Sequence, residues 1–248
     1  MLLNVSKDGL VIWSSKTGEA DRVLTILTDE GLITAYARGS LRPNGRLTSA
    51  CTMLSLSNFE LATGKNMYTV VNAESQKKFL NIYSDAVSYA LATYFCELLK
   101  LTVPYNEEAK QYLTVMLNTL YLINNGSKPL WQIKAVFEMT IMTLSGYMPN
   151  IFECAQCGAL SSDKVFFEYS TGTWLCSSCS EKRGIQADVP FSVMSAIRYI
   201  VSAEPQRAFA FELRSPSKEI FCDICERYLV EHIDHDLKTL NYYHTIKD

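Results

Sequence analysis

Apolar and polar residues in the first third of the chain alternate in short runs cut by turn formers. Residues 10–13, 22–28, 32–38, 51–61 and 67–72 are rich in β-branched, aromatic and aliphatic side chains. The breakers Thr17-Gly18, Asp29-Glu30-Gly31, Pro43-Asn44-Gly45 and Thr63-Gly64-Lys65 separate them at hairpin spacing. Five strands in about seventy residues predict a five-stranded Greek-key barrel of the oligonucleotide-binding (OB) type. Propensity alone does not separate it from an SH3-like barrel. At Lys77 the period changes to three or four, and Phe79, Ile82, Tyr83, Ala86, Val87, Ala90, Leu91, Tyr94, Phe95, Leu98 and Leu99 predict one long buried helix. A second helix is expected from about Asn106 to the Asn124-Asn125-Gly126 stop. A third runs from Pro129 to Gly146 with Ile133, Val136, Phe137, Ile141 and Leu144 on one face. Further on, Pro190 and Ser192 open a helix that stops before Pro205. The last expected helix starts at Pro216 and aligns Ile220, Phe221, Ile224, Cys225, Tyr228, Leu229, His232 and Ile233. The fold class is therefore α+β: a barrel over residues 1–76, then a helical domain over 77–248 interrupted at about 150–183.

That interruption carries the clearest chemistry. Cys154-Ala-Gln-Cys157 is followed after eighteen residues by Cys176-Ser-Ser-Cys179, two C-x2-C pairs at the spacing of a tetrahedral zinc site. Small residues, Gly158 after the first pair and Ser177 and Ser178 within the second, let the backbone turn tightly enough for all four sulfurs to reach one ion. Between the pairs, residues 165–169 and 173–175 read as a hairpin about Ser170-Thr171-Gly172. The bland readings are two disulfides or four ordinary buried cysteines; the paired spacing favours one structural zinc per chain. Four protein ligands leave no open position for a catalytic water.

Composition narrows the classes. The 248 residues are 48% hydrophobic, enough for real cores, and carry a net charge of −3. No basic-then-apolar leader and no eighteen-residue apolar run is present, so a cytoplasmic, non-membrane protein is expected, and a reducing compartment suits the cysteine spacing. The charge is uneven: residues 1–78 hold nine Lys and Arg against seven Asp and Glu, residues 184–248 seven against ten. Residues 31–59 contain Arg38, Arg42 and Arg46 and no acid. An anionic partner is expected there, with Lys77 and Lys78 as the alternative path. Trp13, Tyr36 and Tyr68 fall in the expected strands and are either stacking platforms or core.

Other matches read as ordinary structure. Cys222-Asp-Ile-Cys225 lies inside a helical pattern with Cys225 on its apolar stripe, an ordinary home for a free cysteine. Glu231, His232, Asp234, His235 and Asp236 resemble a hydrolase cluster, but the only other histidine is His244, and the pattern fits a solvated helix face with His232 turned inward. Ser161-x-x-Lys164 and Ser215-x-x-Lys218 lack companion motifs. No G-x-x-x-x-G-K, G-x-G-x-x-G or G-x-S-x-G occurs, so nothing points to an enzyme.

The segment Thr17-Gly18-Glu19-Ala-Asp21-Arg22-Val-Leu-Thr25-Ile-Leu-Thr28, with Gly31-Leu-Ile33-Thr-Ala35-Tyr-Ala37-Arg38-Gly39 and Arg46-Leu47, resembles the N-terminal signature of the bacterial recombination mediator family RecO. The likeness runs through the whole chain in order: barrel, helices, four-cysteine module, final helices. Physically, Gly18 would make the hairpin turn, Glu19 and Asp21 would hold Arg22, and Ala35 and Ala37 would face a tight barrel interior. The resemblance implies a non-enzymatic DNA repair and recombination factor that binds single- and double-stranded DNA and anneals complementary strands. It would contact the C-terminal tail of the single-stranded DNA-binding protein SSB and work with RecR so that RecA replaces SSB, placing it near the nucleoid. Lys100, Lys110, Lys134, Arg198 and Arg227 are candidate cations for the acidic SSB tail. The other class of function that fits is a zinc-stabilised adaptor that binds only proteins.

Overall fold

A computed structural model describes residues 4–43, 45–105, 107–204 and 207–247. Asn44 of the expected Pro43-Asn44-Gly45 turn, Asn106 at the expected start of the second helix, and Pro205 as a helix stop lie outside the described residues. Five strands form the N-terminal sheet: β1 Asn4–Thr17, β2 Asp21–Thr28, β3 Gly31–Ala37, β4 Ser55–Ala62 and β5 Tyr68–Lys78. They close into a barrel in the order β1-β2-β3-β5-β4. All neighbours are antiparallel except β3 and β5, which pair in parallel through Ala35–Tyr68 and Tyr36–Thr69. This Greek-key closure is that of an OB-type barrel and decides against the SH3-like reading. Inside it pack Val11, Leu24, Ile26, Ile33, Phe59, Leu61 and Val70 with the small Ala35 and Ala37, both without exposure, so the alternating alanines do face the interior. Gly18 adopts φ +59° in the β1–β2 turn, a conformation that other residues adopt only at a cost.

Three of these strands differ from the sequence reading. β1 runs Asn4–Thr17, well beyond the expected 10–13 at both ends. β5 runs on to Lys78, with Ala73, Ser75 and Lys77 paired to Phe59, Ser57 and Leu56. The polar run after Asn72 conceals it, because half of its side chains face water. Lys77 and Lys78 thus end a strand and do not begin a helix. β4 starts at Ser55 and not at Cys51, since residues 51–54 form turns whose last member, Leu54, sits buried at φ +62° and donates its N–H to the Val11 carbonyl (2.7 Å).

The expected long helix is two. A short α1, Leu80–Tyr83, is followed by α2, Ala86–Thr102. The break is Asp85, held in extended backbone, whose carboxylate accepts the Ser88 N–H and caps α2 (2.8 Å). α3 covers Lys110–Asn125, beginning later than expected. The chain forms two compact units, Met1–Asn125 with Leu237–Asp248, and Gly126–Asp236. The secondary structure switches class near residue 78, whereas the first unit keeps α1, α2 and α3 with the barrel. The Leu32 N–H reaches the Pro104 carbonyl (3.1 Å) and the Ala109 N–H reaches that of Asp29 (2.7 Å). A helix that the periodicity did not suggest, α8 (Lys238–Ile246), returns to this unit, buries Leu240 and Tyr243, and packs on α2, where the Thr239 N–H and hydroxyl both bond to Glu97.

The second unit contains α4 (Leu130–Leu144), α6 (Phe191–Ser202) and α7 (Ser217–His232), with α4 packed on both other helices. Between α4 and α6 come the expected hairpin, β6 (Lys164–Glu168) and β7 (Thr173–Cys176), the short α5 (Ser177–Lys182), and β8 (Val189–Pro190), which adds to the β6 edge. Gly172 turns the hairpin at φ +63°, and a Cβ there would lie 2.6 Å from the Tyr228 hydroxyl of α7, so the turn packs against the helices only as glycine. α7 ends at His232, so the acidic stretch to Asp236 is not a helix face. The His232 ring lies 4.2 Å from that of Tyr228 and 5.4 Å from that of Tyr147, with Nδ1 2.8 Å from the Tyr228 carbonyl oxygen.

Candidate metal centre and nucleic-acid interface

The hairpin brings the two C-x2-C pairs together. The ligand atoms of Cys154, Cys157, Cys176 and Cys179 all lie within 4.8 Å of one another, the only such gathering of three or more His, Cys, Asp or Glu among the described residues. Cys157 and Cys176 sulfurs are 3.7 Å apart, close to the ~3.8 Å edge of a tetrahedron with ~2.3 Å metal–sulfur bonds and far longer than a disulfide. All eight cysteines are free thiols. The knuckle is wound by Gly158 N–H to Cys154 carbonyl (2.9 Å) and Cys154 N–H to Ala159 carbonyl (2.8 Å), and the Cys176 N–H donates to the Cys154 sulfur (3.3 Å). The crowded thiols ionise unevenly: the Ser178 hydroxyl leads the causes that lower Cys176 to about 6, and a hydrogen bond with Cys176 leads those that push Cys179 up to about 12. A divalent cation of the zinc type would resolve that crowding by taking all four as thiolates. Three of these cysteines are buried and Cys157 is exposed. This donor set and spacing fit a metal ion of structural type.

Arg198 of α6 holds this module. Its guanidinium donates to the carbonyls of Ile151 (2.7 Å), Phe152 (2.8 Å) and Leu160 (3.0 Å) and lies 4.9 Å from the Phe191 ring. The Trp174 indole N–H joins it on Ile151 (2.8 Å). Arg198 is thus committed to the module and is not a spare cation. Lys134 is also withdrawn from the candidates: it is buried on α4, paired with Glu138 (2.5 Å) and Glu226 (2.7 Å). Burial alone would lower its pKa, but the two carboxylates outweigh that and raise it. Cys222 and Cys225 lie within α7, apart from the four-sulfur cluster, and burial raises both thiols.

On the barrel, Arg38, Arg42 and Arg46 are all exposed, on the segment between β3 and β4. Asp21 at the start of β2 organises it. Its carboxylate accepts the Gly39 N–H (2.7 Å) and the Tyr36 hydroxyl. The Gly39 bond, then the Tyr36 bond, lower its pKa, with smaller contributions from Arg38 and Arg42. Asp21 therefore does not hold Arg22, which donates to the Cys51 carbonyl (3.0 Å) and ties the far end of the same segment to β2. Arg46 reaches Asn72 of β5 (3.0 Å). Lys77 and Lys78 are exposed and pair in the sheet with Leu56 and Ser55, just beyond this segment. Of the three expected aromatics, Trp13 lies under the Lys100 ammonium (4.1 Å), Tyr36 is engaged by Asp21, and Tyr68 packs against the barrel core.

A closed five-stranded OB-type barrel, carrying an acid-free arginine segment and followed in the chain by helices with a four-thiol knuckle, defines the class: an OB-fold protein with a metal-binding type of cysteine knuckle. Comparison with known proteins gives the particular family. The model of the recombination protein O N-terminal region matches residues 1–79 and that of its C-terminal region matches residues 83–241. Among relatives, the DNA repair protein RecO of Acetivibrio thermocellus is 29% identical over 96% of this chain and 95% of its own length. That of Dehalococcoides mccartyi is 32% identical over 77% and 76%, and that of Alkaliphilus metalliredigens 25% over 93% and 94%. The chain belongs to the RecO family of DNA repair proteins. Among the described residues no helix is long and apolar enough to cross a membrane.

Proposed function

We propose that this chain is a non-enzymatic DNA repair and recombination mediator: it binds single- and double-stranded DNA through the barrel, anneals complementary strands without ATP, and helps RecA replace SSB. One observation carries the DNA contact: Arg38, Arg42 and Arg46 project from a segment without acids that Asp21 and Arg22 pin to the barrel at both ends. Pinning lowers the entropy lost when the arginines engage phosphates. In this reading the barrel, residues 1–76, meets DNA, and residues 77–248 meet proteins, the SSB tail and RecR among them. Lys77 and Lys78 extend the phosphate path, and one zinc, held by Cys154, Cys157, Cys176 and Cys179, folds the module rather than doing chemistry. The protein works in the cytoplasm at the nucleoid. With no nucleotide-binding loop in the sequence, binding free energy drives annealing: cations reduce repulsion between strands and the SSB contact concentrates the mediator on coated DNA.

The test compares annealing of naked strands, strands coated with whole SSB, and strands coated with SSB lacking its tail. Loss on removing the tail, without any need for ATP, supports the mediator; unchanged coated-strand annealing or an ATP requirement refutes it. Each phosphate contact contributes about −0.7 to the slope of log K against log salt for a single strand. Replacing Arg38, Arg42 and Arg46 together with Ala should then flatten the slope by roughly 2. The second reading, a protein-only adaptor, is favoured by the net charge of −3 and by the acids Glu60 and Glu74 that line a groove on the barrel. An anisotropy titration showing no binding of single-stranded DNA would select it.

A further inference from the structure

Beside the arginine segment, the first unit exposes aromatic rings that its core does not use. The Tyr83 hydroxyl of α1 donates to the carbonyl of Met53, two residues before Ser55, the partner of Lys78 in the sheet. The Tyr89 ring of α2 lies 5.7 Å from that of Tyr83, inclined by 35°. The two tyrosines are 40% and 37% exposed. A second cation–aromatic pair lies in the same unit: the Lys77 ammonium sits 4.9 Å over the ring of Tyr121, which is 51% exposed on α3. α1 is fixed to the end of α3 by Asn81, whose N–H and side-chain amide bond to Asn124 (3.1 and 2.9 Å). The nearby Asp85 carboxylate is already engaged by the Ser88 N–H at the positive end of α2.

Cations interleaved with exposed, positionally fixed aromatic rings are what an unpaired strand needs, since phosphates meet the charges and each base offers a π-face to a ring. We infer that Tyr83 and Tyr89 form a base-stacking step for single-stranded DNA leaving the arginine segment, with Lys77 and Lys78 taking the adjoining phosphates. The inference rests on the nucleic-acid reading above and adds to it a source of preference: duplex bases are already stacked on one another and cannot use the step. Pairing of two strands removes bases from the tyrosines, so the annealed product is held less tightly than either substrate strand.

Anisotropy titrations of the full chain with oligodeoxythymidine and with a blunt duplex of equal length test this. Tyr89→Ala should weaken single-strand binding roughly 5- to 100-fold while leaving the salt slope unchanged. Duplex affinity should stay within about twofold, and Tyr89→Phe, which keeps the ring, should bind as wild type. On unmodified protein, an oligonucleotide made abasic along its length should lose affinity by at least the Tyr89→Ala factor, which frees the test from any folding defect. If that oligonucleotide binds as tightly as the intact one, or if Tyr89→Ala costs single strand and duplex equally, the stacking step is wrong. Binding left intact by Tyr89→Ala but weakened by the triple arginine variant removes the step and keeps the DNA reading; no binding of oligodeoxythymidine by wild-type protein removes both.

Discussion

Removing the Asp21 side chain withdraws the acceptor that the Gly39 N–H and the Tyr36 hydroxyl share. Its pKa is lowered in the folded state from 3.8, chiefly by the Gly39 bond, so its stabilising effect is present above that unfolded value and is lost as pH falls through the lower folded one. Hydrogen exchange at the Gly39 amide should therefore be faster in Asp21→Ala than in wild type at pH 7, and the two should converge only as the pH falls through the lowered folded-state pKa of Asp21. The buried Lys134 gives a second prediction. Lys134→Met leaves Glu138, which has no exposure, without its cation and should cost about 3–5 kcal/mol by chemical denaturation. The Lys134→Met, Glu138→Met double variant should cost far less, because the fully buried carboxylate is gone and Glu226, 29% exposed, still reaches water. The three arginines were legible in the sequence because they are a local excess of one sign. The Asp21 contact was not, since it joins residues eighteen positions apart and a neighbouring arginine was the obvious partner. Lys134 misled for a different reason: Gln132 to Met142 are all buried, so α4 has no wet face on which a lysine could be spare.

At the scale of elements, the least expected part is α8. Its apolar positions, Leu237, Leu240 and Tyr243, span barely two turns, and the charged stretch before it resembles the end of a protein's ordered core. Periodicity needs longer windows than that, so tertiary packing on α2 decides the helix. Removing residues 237–248 should destabilise the first unit, with the barrel's thermal transition falling by several degrees, as expected when ~1–2 kcal/mol is lost from a domain of this size. Thr239→Ala should give a smaller shift by removing only the hydroxyl bond to Glu97 while leaving the N–H bond. The existence and order of the five strands and most helices, by contrast, were readable because period and turn formers agreed, though the ends of β1, β4 and β5 were not. The single long helix split only because Asp85, an N-cap residue type, interrupts a stripe that continues through it.

For the whole molecule, the four sulfurs belong to Gly126–Asp236 and the barrel to the other unit. Chelation should then raise hydrogen exchange in residues 150–183 before it affects the barrel, since a structural metal contributes folding free energy to the unit that holds it. Metal analysis should find one zinc per chain, lost in Cys154→Ser, Cys176→Ser and retained when Cys222 and Cys225 are changed instead. The arrangement of units also bears on the order in which the protein is made. α8 completes the barrel unit, yet about 110 residues of the second unit are translated between Asn125 and Leu237. At ribosomal speeds that delay is roughly 5–20 s, long enough for a domain to fold. A nascent chain stalled before Leu237 would thus carry the cysteine module while the α2 surface that α8 covers in the finished protein still lay open to water.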